Sequence, residues 1–196
     1  MNEYKCYDID LGEKLAMEFK KCDKFSVERK KEGEGGWLFD AYSAYNLNEL
    51  ELTAFFNKLL SYKSLDWING ELDKHPIKYE DKTFIISLKK AKYVTVNEEK
   101  RIEEIIGNGD NLVELTNKIE IQDENKKKPL LIRHLVRHED GKKEIVPVDH
   151  EKYSMFLDYF FKVREFNGYQ KNNNGTLYIK DHSGKFKALI MPLRAA

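Results

Sequence analysis

Long apolar runs are missing from this sequence. No stretch approaches the roughly 18 consecutive apolar residues that a membrane-spanning helix needs. The opening residues, MNEYKCYDIDLGEK, also lack the apolar centre of a signal peptide. Cysteine is scarce: Cys6 and Cys22 are too few for a disulfide framework. The expected compartment is therefore a reducing cytoplasm. Excess charge is absent too, since 34 Lys+Arg balance 34 Asp+Glu. A globally basic surface for tight DNA binding is excluded, while local basic faces are not. There is no P-loop and no GxGxxG. Gly33-Glu34-Gly35-Gly36 lacks the Lys and Ser/Thr that would follow in a phosphate loop, and reads as a hairpin turn.

What is present is a chain of 196 residues with 41% hydrophobic and 12% aromatic content. That length can bury about 70% of the unfolded surface without staples. Four segments carry helical spacing. Leu11, Leu15, Phe19 and Cys22 mark the first. In the second, Asn48 and Glu51 make a capping box ahead of Leu52, Phe55, Phe56 and Leu59. The third runs from Asn97 through Ile102, Ile105 and Ile106 to Gly107. The fourth follows Asp149 and aligns Tyr153, Phe156, Leu157, Phe160 and Phe161.

Strand-like stretches fill the intervals: 25–29, 37–45, 77–79, 83–88, 93–96, 112–115, 118–121, 130–136, 145–148, 163–169, 176–179 and 186–191. Asp140-Gly141, Asn167-Gly168, Asn174-Gly175 and Ser183-Gly184 read as turns. Short turns imply antiparallel pairing. The expected class is α+β, a helix followed by two to four strands, about four times over. Two similar domains, 1–95 and 96–196, fit that count; a single continuous α+β domain is the alternative.

The final residues, Lys187-Ala188-Leu189-Ile190-Met191-Pro192-Leu193-Arg194, describe a strand ended by proline with an apolar, basic-tipped tail. Such a tail packs on its own domain or binds something. This ending resembles that of the DNA sliding clamps, the bacterial DNA polymerase III beta subunits. The resemblance extends back through the turn His182–Lys185, the strand Thr176-Leu177-Tyr178-Ile179-Lys180-Asp181, the strand 163–169 and the helix after Asp149. It covers residues 149–196, or 96–196 with the third helix. The first 95 residues carry no clamp motif, and zero net charge differs from the acidic surface usual in that family.

The resemblance implies a non-enzymatic processivity factor for DNA replication, a two-domain clamp of phage type with neither catalytic residues, cofactor nor metal. Leu189, Ile190, Met191, Pro192, Leu193 and Arg194 would form a groove for polymerase or clamp-loader-type peptides. Apolar residues would take the anchoring side chains, and Arg194 would meet an acidic group. Lys14, Lys20, Lys21, Lys58, Lys63, Lys152 and Lys162 are the candidates to face duplex DNA. A two-domain chain would encircle DNA as a homotrimer, because four globular beads leave a hole of only about 14 Å.

Two other readings stand beside it. One is a protein-binding or regulatory α+β module that uses the same groove without forming a ring. The other is a metal-dependent nuclease or hydrolase. For the latter, His134 and His138, with His150 and His182 nearby, or Asp8 with Asp10, or Glu80 with Asp81 beside Lys82, are the residues with suitable chemistry. The run 129–136 reads as strand, which holds His134 and His138 too far apart for easy chelation. Cys6 and Cys22 lack a matching base, and Cys22 falls on an apolar helical stripe. Lys126-Lys127-Lys128 is a solvated basic loop or a phosphate contact.

Overall fold

A computed structural model describes residues 3–78, 82–97, 102, 104, 112–114, 119–122, 132–139, 142–149, 166–171, 176–181 and 183–191. The protein is α+β. It separates into two compact units, Met1–Gly107 and Asn108–Ala196.

The first unit opens with α1 (Glu3–Phe19), continues through β1 (Lys24–Arg29), β2 (Gly36–Phe39) and β3 (Ser43–Leu47), and enters α2 (Glu49–Leu60). A 3-10 turn over Lys63–Leu65 leads into α3 (Asp66–Lys74), followed by β4 (Lys82–Ser87) and β5 (Lys92–Asn97). The strand order is β5-β4-β1-β2-β3. Every neighbouring pair is antiparallel.

Register explains where the core sits. Phe25 and Val27 of β1 share a sheet face with Leu38, Tyr45, Phe84 and Ile86, because side chains two apart along a strand point the same way. All six are buried. The two long helices cover this face. Leu11, Leu15, Ala16 and Phe19 of α1 and Leu52, Phe55 and Leu59 of α2 are buried. Phe19 meets Phe25, Tyr45 and Phe55 edge-on, with ring centroids 5.6 to 5.8 Å apart. That is the arrangement the ring quadrupoles favour.

Gly12 sets the spacing of the helix pair. A Cβ there would overlap the Glu51 carbonyl oxygen and lie 2.8 Å from the Phe55 nitrogen. The capping box of α2 forms as expected: Asn48 Oδ1 accepts from the Glu51 N–H, and Glu51 Oε2 accepts from the Asn48 N–H at 2.7 Å. Arg29 adds a tie from β1 to the first turn of α2, its guanidinium 2.8 Å from the Glu49 carboxylate.

Several expectations need correction. The first helix begins at Glu3, ahead of the Leu11 stripe, and ends at Phe19. The Lys21 and Cys22 amides donate to the carbonyls of Glu18 and Phe19, three residues back, which tightens and ends the helix before Cys22. The stretch 37–45 is two strands, not one. Asp40 Oδ1 accepts from the Tyr42 and Ser43 amides and from the Ser43 hydroxyl, bending the chain sharply. The segment after α2 holds α3, and Ile77 lies outside any strand. The simple alternation of one helix with strands therefore does not hold in this unit. Residues 93–96 fall inside β5, paired along its length with β4. Of the third expected helix only Ile102 and Glu104 are described, both helical.

In the second unit, β6 (Leu112–Glu114), β10 (Phe166–Lys171), β11 (Leu177–Asp181) and β12 (Phe186–Ile190) pair in the order β12-β11-β10-β6. A separate sheet has the order β7-β8-β9, from β7 (Ile119–Gln122), β8 (Ile132–Glu139) and β9 (Lys142–Asp149). β9 carries Pro147 opposite His134, and among the described residues β9 pairs with β8 alone, an edge position in which proline is tolerated. Asn167-Gly168 is not a turn: both residues lie within β10, opposite Lys180 and Ile179. Ser183-Gly184 is a turn, with Gly184 at φ 78°. The fourth expected helix, and the turns at 140–141 and 174–175, lie outside the described residues.

Candidate functional site

The end of β12 is built by its pairing with β11. Leu177 faces Ile190, Tyr178 faces Leu189 and Ile179 faces Ala188. The register then shifts between Ile179 and Lys180, so that Lys180 faces Phe186. Lys187 is the extra residue of this bulge, and it is only 9% exposed. Lys180 places its ammonium 4.7 Å from the centre of the Phe186 ring. Leu177, Tyr178 and Ile179 are buried in succession, so both faces of β11 are covered there.

Burial gives way to exposure at one residue. Ile190 is fully buried, Leu189 is half-buried, and Met191 is 47% exposed. Met191 follows the last paired residue of β12, and the Thr176 hydroxyl just ahead of β11 donates to its Sδ at 3.4 Å. The thioether is thereby held at the strand end as an accessible, adaptable apolar group. Of the residues expected to form a groove, Ile190 is placed in the interior and Leu189 and Met191 reach the surface. Pro192, Leu193 and Arg194 lie outside the described residues. Thr176 and Lys187 were not expected here. Counting back from the Ser183-Gly184 turn would have found Thr176; the bulge at Lys187 has no sequence signature.

Of the candidate DNA-facing lysines of the first unit, Lys14 lies in α1 and Lys58 in α2, Lys20 and Lys21 follow α1, and Lys63 opens the 3-10 turn. Lys14 and Lys58 are half-buried, while Lys20, Lys21 and Lys63 are exposed. Lys21 pairs with Glu18 at 2.9 Å, and Lys20 lies 4.1 Å from the centre of the Tyr62 ring. Lys152 and Lys162 lie outside the described residues.

The residues with metal or acid-base chemistry are dispersed. Asp8 and Asp10 both fall in α1, and Asp10 is exposed. His134 and His138 both lie on β8, roughly 13 Å apart along the strand. His150, His182, Glu80, Asp81 and Lys126–Lys128 lie outside the described residues. Among the described residues no three His, Cys, Asp or Glu side chains gather as a metal site. Cys22 is half-buried beyond α1, its thiol 3.7 Å from Asp40 Oδ2.

A polar group missed in the sequence lies on the other face of the first sheet. Glu28 is 3% exposed and its carboxylate accepts from the Ile102 amide at 3.1 Å. Trp37 stands opposite Glu28 in the register and is equally buried. Lys30 donates to Asn46 Oδ1 at 2.6 Å nearby. This cluster fastens the chain at Ile102 to the sheet.

Among the described residues no helix is long and apolar enough to cross a membrane. No family model, curated protein or solved structure matches the chain.

Proposed function

We propose that this protein acts without chemistry of its own, as a sliding-clamp-like processivity factor of the cytoplasm. It holds duplex DNA by encirclement as a homotrimer and tethers polymerase or clamp-loader-type peptides at the end of β12. Tethering raises the local concentration of the partner on its template, which accounts for processivity without a catalytic residue. The observation that carries the reading is the exposure of Met191 directly after the buried Ile190. The exposed Lys20, Lys21 and Lys63, just beyond the ends of α1 and α2, support the DNA-facing part.

A direct test is titration with a short synthetic peptide that carries two adjacent large apolar residues and one carboxylate. Met191→Glu is expected to weaken binding by about tenfold, as loss of a central apolar anchor does. Absence of peptide binding to the native chain, or equal affinity for the variant, counts against the reading.

One observation favours a second reading. Lys21 is occupied by Glu18 and Lys20 by the Tyr62 ring, so the helix layer presents mixed charge instead of a basic stripe. This suits a protein-binding module that uses the same strand end without enclosing DNA. Peptide binding that survives while every DNA association is absent identifies that case.

A further inference from the structure

The first sheet ends at β5. This strand has β4 on one side and, among the described residues, no strand on the other. An open edge offers a row of backbone donors and acceptors to any extended chain that can align with it. Proteins commonly blunt such edges by keeping them short, by proline, by a bulge or by lysine charge. β5 has no proline and pairs with β4 without a shift over six residues, so its guard is charge: Lys92 and the turn before it, which repel a basic strand and leave an acidic one admissible. Val94 and Val96 are half-buried on one face, and Tyr93, whose hydroxyl donates to the His75 carbonyl at 2.8 Å, on the other, while Lys92, Thr95 and Asn97 are exposed.

Charge at this edge is one-sided. Lys92 opens the strand, and Lys89 and Lys90 occupy the β4–β5 turn. Lys24 begins β1 opposite Ser87, at the same end of the sheet. All four lysines are exposed, and Asp23, bound to Lys89 at 3.3 Å, is the acidic neighbour among them. That pair is itself more than two-thirds exposed on both sides, so it leaves the local field positive.

We propose that β5 is a docking edge for an extended acidic peptide. The peptide adds a strand beside β5 by backbone pairing, alternate apolar side chains lie beside Val94 and Val96, and carboxylates at its C-terminal end meet Lys89, Lys90 and Lys92. The antiparallel sense follows the rest of the sheet and places the peptide C-terminus at the lysine end. Strand addition supplies affinity through the backbone, and the lysines supply direction and choice of partner. This goes beyond the proposed role of Met191 and stands or falls separately from it.

The test uses the full chain and an eight-residue peptide of alternating threonine and valine closed by two C-terminal glutamates, with a lysine-ended peptide as control. Amide signals of Lys92–Asn97 are expected to shift and gain exchange protection with the acidic peptide. The triple variant Lys89→Glu, Lys90→Glu, Lys92→Glu is expected to lose about tenfold in affinity for it and to gain affinity for the control. Equal affinity for the two peptides, or binding that leaves the β5 amides unchanged, overturns the proposal. So does self-association through β5 in the absence of peptide. A duplex oligonucleotide that shifts the lysine signals while the acidic peptide does not would assign these lysines to phosphate and equally overturn it.

Discussion

α2 and α3 follow one another in the first unit and are held in different ways. α2 has a reciprocal side-chain cap and buries Glu51, Leu52, Ala54, Phe55 and Leu59. α3 has no side-chain cap, buries Ile68 and carries a glycine, Gly70, at its centre. Local signals and tertiary packing agree in α2. In α3 one anchor and the preceding 3-10 turn hold a segment of weak intrinsic preference. The difference teaches where this fold keeps its stability: in the aromatic seam between α1, α2 and the sheet.

The largest expected effect tests that seam. Phe55 is fully buried and touches Phe19, Phe25 and Phe56 edge-on. Phe55→Ala should destabilise the first unit by about 3–5 kcal/mol in chemical denaturation. A loss below about 1 kcal/mol would mean that the seam is not the core. Gly12→Ala comes next. Its methyl group must push α1 away from the α2 backbone, and a cost of about 1–3 kcal/mol is expected by the same measurement.

Asn48→Ala removes the cap and leaves the Glu51 N–H without its acceptor, for an expected loss of about 1 kcal/mol. Gly70→Ala sharpens the contrast by reversing the sign. Nothing lies within 4 Å of the added Cβ, so the variant should gain about 0.5–1 kcal/mol. Destabilisation there would show that α3 is packed more closely than its exposure indicates.

The same contrast explains what was legible in the sequence. Asn48, Glu51 and the Leu52–Phe55–Leu59 stripe announce α2 because cap, period and burial coincide. Asp66-Trp67-Ile68-Asn69-Gly70 announces nothing, since a single buried side chain makes no stripe and glycine argues against a helix. The split of 37–45 depended on Asp40 turning back to Ser43, a local bond that competes with an otherwise continuous strand pattern. At the candidate site, the β11–β12 hairpin could be read from the Ser183-Gly184 turn and the alternation before Met191. Which of Leu189, Ile190 and Met191 reaches solvent could not, because burial on both faces of the hairpin erases the period-two signal. The Glu28–Ile102 bond joins residues 74 apart in sequence, and no local pattern marks it.

Encirclement is the central claim, and it requires a closed assembly of defined size. Sedimentation equilibrium of the native chain at micromolar concentration measures this most directly. The account predicts a single species with the mass of three 23.1 kDa chains; a species with the mass of one chain across the same concentrations would contradict it.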